Sequence, residues 1–228
     1  MQSYRQDTAS GKALSLLHRA TAMEIANWRS MYRWLRRKPV ATAPGDQVFS
    51  YLGVVKPIFG VFIGLSAVEV PIFDVIIRHV VPWAPARWIA LGLGVWGLLW
   101  MIGLFASLKI HPHVVGAAGL RVRMGSQVDL TVPWADIDTV SKAYRTLPSG
   151  KSVQLETAGD RTVLHLPTGS QTSVDVRLRH PVDFGVPTGK SAPAHELRLY
   201  ADDPDGFVKA SRSAPGAEHA IMRHAQES

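Results

Sequence analysis

The sequence predicts an α+β membrane protein: an amphipathic N-terminal helix, a two-helix transmembrane hairpin, and a C-terminal antiparallel β barrel or sandwich closed by a short helix. Three observations predict it. Trp88 to Leu108 is a run of 21 residues without a charge, and at about 1.5 Å per residue such a helix matches a hydrocarbon core of about 30 Å. Basic residues crowd the segment before the hairpin. After Pro112 the apolar residues change from helical spacing to strict alternation.

The charge distribution orders these parts. Residues 1–50 carry eight Lys/Arg against three Asp/Glu, residues 51–108 three against two, and residues 109–228 fourteen against thirteen. The net charge of +7 therefore sits mostly beside the spans, which points to anionic lipid headgroups as partners. The nearly neutral C-terminal half lacks the basic footprint of a nucleic-acid binder. Cysteine is absent, which excludes disulfides, thiolate metal sites and a cysteine nucleophile. No cleavable signal peptide is expected in the first 47 residues.

Residues 1–47 read as a basic juxtamembrane helix and linker. Over residues 10–38, Leu14, Leu17, Thr21, Ile25, Trp28, Tyr32 and Leu35 recur at three- and four-residue spacing, after a candidate cap at Ser10 and before Pro39. Arg29, Arg33, Arg36, Arg37 and Lys38, mixed with Trp28, Tyr32 and Trp34, are candidate lipid-headgroup contacts of a helix lying in the membrane plane. The alternative is a helix packed on the C-terminal domain with solvated arginines.

Residues 48–108 read as the hairpin, with spans at about 48–77 and 88–108 joined by RHVVPWAPAR. The basic residues before the first span and after the second place both termini in the cytoplasm, with the protein in the inner (cell) membrane. GLGVWG, Gly92 to Gly97, fits a dinucleotide fingerprint literally, but no strand precedes it. It is read instead as part of a small-residue stripe, Ala90, Gly94 and Gly97, matched by Gly53, Gly60, Gly64 and Ala67 on the first span. Glu69 and Asp74 are candidate intramembrane functional residues, because a carboxylate in lipid is costly. Glu69 lies about 20 Å from Lys56 along the helix, at the level of Trp96, whose indole is expected to donate to it. Glu69 and the Gly60–Gly64 face lie on opposite sides of a straight helix. Either Pro71 kinks it or one face meets a second protein chain.

Residues 109–212 read as the β domain and residues 213–228 as a flexible tail. Expected strands centre on Leu120 to Met124, Val128 to Val132, Val153 to Leu155, Val163 to Leu166, Val174 to Leu178 and Leu197 to Leu199, separated by Gly- and Pro-containing turns. Asp203, Pro204 and Asp205 suit the start of a closing helix. The spacing of Asp202, Asp203 and Asp205 fails a calcium loop. His111 and His113 flank Pro112 without a third metal ligand nearby. His165, His180 and His195 are scattered.

Strands first, the VPWADIDTV segment, and a closing DDPDGFVKA helix resemble the bacterial pleckstrin-homology-like (PH-like) domains. The hairpin followed by HPHVVGAAGLRVRMGS resembles uncharacterised bacterial two-span membrane proteins that carry such a domain on the cytoplasmic side. The resemblance covers roughly residues 48–212 and its motifs are structural. It implies a sheet closed or sandwiched on itself with a helix plugging one end, serving as a binding or scaffolding module. Arg121 and Arg123, with Lys109, loosely resemble the basic strand pair that binds phosphoinositides in eukaryotic relatives. An ordinary solvated strand face is the expectation here.

The sequence therefore predicts a non-catalytic protein, without cofactor or metal and without nucleic acid, that displays a cytosolic module to recruit or regulate a protein or lipid-headgroup partner. A membrane-protein partner or a homo-oligomer is expected. The alternative is an accessory or core subunit of a transport or proton-linked complex built on Glu69.

Overall fold

The computed structural model describes residues 21–36, 42–81, 83–185 and 192–217. The chain forms two compact units, one from residues 1–38 and 65–110, the other from residues 39–64 and 111–228.

The first unit is helical, and of the second helix it takes residues 65–80. Helix α1 covers residues 21–35. Two long helices follow, α2 (Lys56–Val80) and α3 (Ala84–Lys109). Both are long and apolar enough to cross a membrane, at about 38 Å for 25 residues. Pro71 sits inside α2 without interrupting it. Pro85 stands in the first turn of α3, where its missing N–H is not needed.

Residues 48–55, expected in the first span, belong instead to the second unit. Gln47–Phe49 is a strand, β1, which pairs with His113–Gly116, β2. Tyr51 and Leu52 are buried. The apolar residues Val48 to Val55 had merged with the span in the sequence, yet they serve a different core.

Sheet one has the order β1-β2-β3-β4, all antiparallel, with β3 at Gly119–Met124 and β4 at Val128–Pro133. A 3-10 turn, Trp134–Asp136, leads to the second sheet. Its strands are β5 (Ile137–Thr146), β6 (Gln154–Ala158), β7 (Arg161–Leu166), β8 (Gln171–Val182) and β9 (Ala194–Leu199). They lie in the order β5-β8-β9-β7-β6. Of the expected antiparallel barrel or sandwich, the closed barrel is not formed, since there are two open sheets, and the pairing is not all antiparallel, since β9 runs parallel to β7. β9 lies between β8 and β7, antiparallel to the first and parallel to the second.

Both sheets contribute to one apolar core with α4 (Pro204–Ser213). Its members include Val115, Leu120, Val122, Val132, Leu164, Val174, Val176, Leu197 and Phe207. Phe207 meets Phe49 edge-on at 5.1 Å between ring centroids, a favoured aromatic geometry. Asp203 caps α4 by accepting from the Gly206 N–H at 2.9 Å, as its position in the sequence implied. Ala214 and Ala217, expected in a flexible tail over residues 213–228, are buried in the same core. Residues 218–228 lie outside the described residues, as do Ser10, Leu14, Leu17, Arg37 and Lys38.

Candidate functional site

The helical unit holds the strongest candidate. Its packing follows from two glycine positions on α3. At Gly94 an added Cβ would stand 3.1 Å from a Val70 methyl, so α2 meets α3 there. Nine residues later, at Gly103, an added Cβ would stand 2.8 Å from the Asn27 amide nitrogen, so α1 meets α3 there. Nine residues are about half a turn out of phase at 100° each. Thus α1 and α2 flank α3 on opposite sides.

The α1 contact is polar and aromatic. Asn27 Nδ2 donates to the Trp100 carbonyl at 3.0 Å, and Trp28 packs on Trp96 with centroids 5.2 Å apart. Further along, Lys109 Nζ lies 5.7 Å from the Trp34 ring centroid. The order of these contacts makes α1 run in the same direction as α3. They lay α1 along α3, a partner that neither expectation, membrane plane or C-terminal domain, includes. Asn27 and Ser30 face inward, whereas Ile25, Tyr32 and Leu35, expected on the packing stripe, are exposed. Buried small residues Gly103, Ala106 and Ser107 explain the choice, since they let α1 approach closely.

The expected contact between Glu69 and Trp96 is not made. Trp96 faces α1, whereas Glu69 lines a groove of about 490 Å³ on the other side of α3, with Ser66, Val70, Phe73, Gly94 and Gly97. Glu69 has no hydrogen-bond or ion-pair partner among the described residues. Asp74, the other candidate intramembrane carboxylate, is paired: Arg87 Nε and Nη2 donate to its two carboxylate oxygens at 2.7 and 2.8 Å. That fork ties the end of α2 to the start of α3. Gly60 and Gly64 were candidate packing residues for the second span, yet no atom lies within 4 Å of a Cβ built on either. Val70, nearly two turns beyond Gly64 and on another face, makes the close approach instead.

The candidate headgroup contacts divide. Arg29 and Arg36 are exposed, Arg33 is half-buried, and the Arg36 guanidinium lies 4.9 Å from the Tyr32 ring centroid.

The chain matches no protein-family model, no curated protein and no solved structure.

In the β unit, the titratable groups singled out from sequence are built into the fold. His113 is buried, its Nε2–H donating to the Tyr200 carbonyl at 3.0 Å and its Nδ1 accepting from the Arg123 N–H at 3.1 Å. Burial drives its pKa down to about 4, against smaller upward effects of Tyr200 and Asp202. Both ring nitrogens are engaged, which suits a structural histidine rather than a metal ligand. Beside it the Tyr51 hydroxyl accepts from the Gly125 N–H at 2.8 Å, and burial raises its pKa to about 12. Asp202 does not cap α4 but binds backbone elsewhere in the β unit. Its carboxylate accepts from the N–H groups of Leu52 and Gly53 at 3.1 and 2.7 Å. Gly53 is therefore no part of a helix-packing stripe. Asp205 pairs with Lys142. Arg121 forms a two-pronged pair with Asp129, and Arg123 is buried rather than solvated as expected.

A smaller groove of about 280 Å³ opens between the start of β5 and α4. Its walls include Trp134, Ile137, Val140, Arg179 and Arg212. β5 is an edge strand of its sheet. Nothing in the sequence pointed to this recess, because its parts come from four separate segments.

Proposed function

We propose that the chain is a non-catalytic integral protein of the inner membrane, with its C-terminus cytoplasmic. Its two spans hold a PH-like module that recruits or regulates a protein or lipid-headgroup partner. The observation that supports this reading best is the origin of the β unit in chain from both ends of the hairpin: β1 precedes α2, β2 follows α3, and the two strands pair. Two short covalent connections, rather than one flexible tether, join the module to the spans. The outward arginines of α1 add attraction to anionic headgroups, about 1 kcal/mol for each near the surface.

A photo-crosslinking residue placed at Thr139 or Arg212, beside the β5 groove, tests the module. The proposal expects a partner protein captured from these positions in native membranes. Capture only from the hairpin, at Phe73, would contradict it.

The second reading, a subunit of a transport or proton-linked complex, is favoured by one observation: Glu69 lines its groove without a partner among the described residues. Under that reading Glu69→Gln abolishes the cellular phenotype. Under the first it leaves the phenotype intact.

A further inference from the structure

The groove beside Glu69 and the indole of Trp96 lie on different sides of α3, and each offers what the other lacks. A carboxylate accepts hydrogen bonds and an indole N–H only donates. Among the described residues the Glu69 carboxylate has no donor and the Trp96 N–H has no acceptor, while the Trp96 ring is about half exposed (52%). In a hydrocarbon environment an unmet polar group is costly, and interhelical hydrogen bonds are the usual remedy.

Their levels match. Val70 packs on Gly94, so its neighbour Glu69 stands about level with Gly94 and Val95. Trp96 is two residues from Gly94, about 3 Å along the axis at 1.5 Å per residue. The indoles of Trp88 and Trp100 are each six residues away, about 9 Å. Arg29 is further off still. Its neighbour Asn27 sits against Gly103, nine residues and about 13 Å from Gly94. Two copies inserted with the same orientation therefore place Trp96 of one beside Glu69 of the other without a vertical shift. The groove has room for that approach: at Gly97 nothing lies within 4 Å of an added Cβ.

We propose that a second copy of this chain docks against the Glu69 side of the hairpin, its Trp96 indole N–H donating to the Glu69 carboxylate. The interface is head-to-tail, since a different patch is used on each copy. Such contacts close into a ring when the rotation permits. The proposal rests on α2 and α3 crossing the bilayer in the same sense in every copy.

The native chain has no cysteine, so introduced thiols report without background. Ser66→Cys marks the Glu69 side, in the groove wall and about level with Leu98, and Leu99→Cys marks the Trp96 side at nearly the same level. Differently tagged copies are co-expressed, and disulfide crosslinking is read in native membranes. The expected result is a crosslink between the Ser66→Cys and Leu99→Cys copies that neither variant gives alone. Adding Trp96→Phe, which keeps a ring against Trp28, lowers association by about three- to twentyfold, the range for one interhelical hydrogen bond in lipid. A crosslink within Ser66→Cys alone would mean a symmetric pair and would overturn the proposal. So would a product only with another protein, no crosslink in membrane-retained chain, or indifference to Trp96→Phe. A chain that washes out of alkaline-extracted membranes would overturn the span reading and this proposal with it.

Discussion

Asp202→Ala removes the acceptor that holds the segment between β1 and α2 onto the β unit. Its carboxylate takes two backbone N–H groups, Leu52 at 3.1 Å and Gly53 at 2.7 Å, and its own N–H donates to the Ser50 carbonyl at 2.8 Å. Only the first two bonds are lost on truncation. Hydrogen bonds to a charged group contribute about 1.5–3 kcal/mol each. Partial solvent exposure of the carboxylate lowers the pair to about 2–4 kcal/mol in all. At about 1.4 kcal/mol per decade, local opening rises about thirty- to thousandfold. Hydrogen exchange on the full chain in nanodiscs reads this directly: amides of Leu52 and Gly53 lose protection, while those of β8 and β9 keep theirs. Gly53→Ala approaches the same contact from the other side, because its Cβ would stand 2.7 Å from an Asp202 oxygen. Unchanged protection at Leu52 and Gly53 in both variants would refute the clamp.

Three further outcomes follow from the geometry. Because the folded His113 pKa is depressed to about 4 against 6.5, its contribution to stability is fully present above pH 6.5. That contribution is lost as pH falls through 4, about 3 kcal/mol in all; denaturant titrations of His113→Gln across this window should show a shallower acid limb than the parent. Gly94→Leu drives side-chain atoms into Val70 and should separate the spans at a cost of about 1–3 kcal/mol, whereas Gly97→Leu, facing open space, should leave the thermal midpoint in detergent nearly unchanged. Asp74→Arg alone should loosen the hairpin, and adding Arg87→Asp should restore it, with cysteines across the two helix ends reporting the distance by spin-label spectroscopy.

The sequence made the periodic parts legible. Trp88 to Leu108 lies within α3, and the six expected strand centres fall in β3, β4, β6, β7, β8 and β9. What escaped was short or polar. β1 has three residues and continues into apolar Tyr51 to Val55, so no pattern separates it from a span. β5 is an edge strand whose residues after Ile137 are exposed or half-exposed, so alternation is faint. The candidate site was half legible. The level of Glu69 against Trp96 follows from helical rise, but their directions depend on which small residue, Gly94 or Gly103, receives which helix. That choice is made by Val70 and Asn27, neither of which carries a sequence signal for it. The paired state of Asp74 likewise depended on Arg87, which in sequence was only a boundary of the uncharged run.

The most direct test of the account is cysteine accessibility in intact cells, since the native chain contributes no thiol. Single cysteines are placed at Trp83, between the helices, and at Ser126, in the turn between β3 and β4, and are exposed to a reagent that does not cross the inner membrane. A two-span hairpin with an internal β module gives labelling at position 83 and protection at position 126 until the cells are opened. Labelling at position 126 in intact cells, or protection at both positions, would contradict a hairpin that crosses the membrane twice with its β module inside.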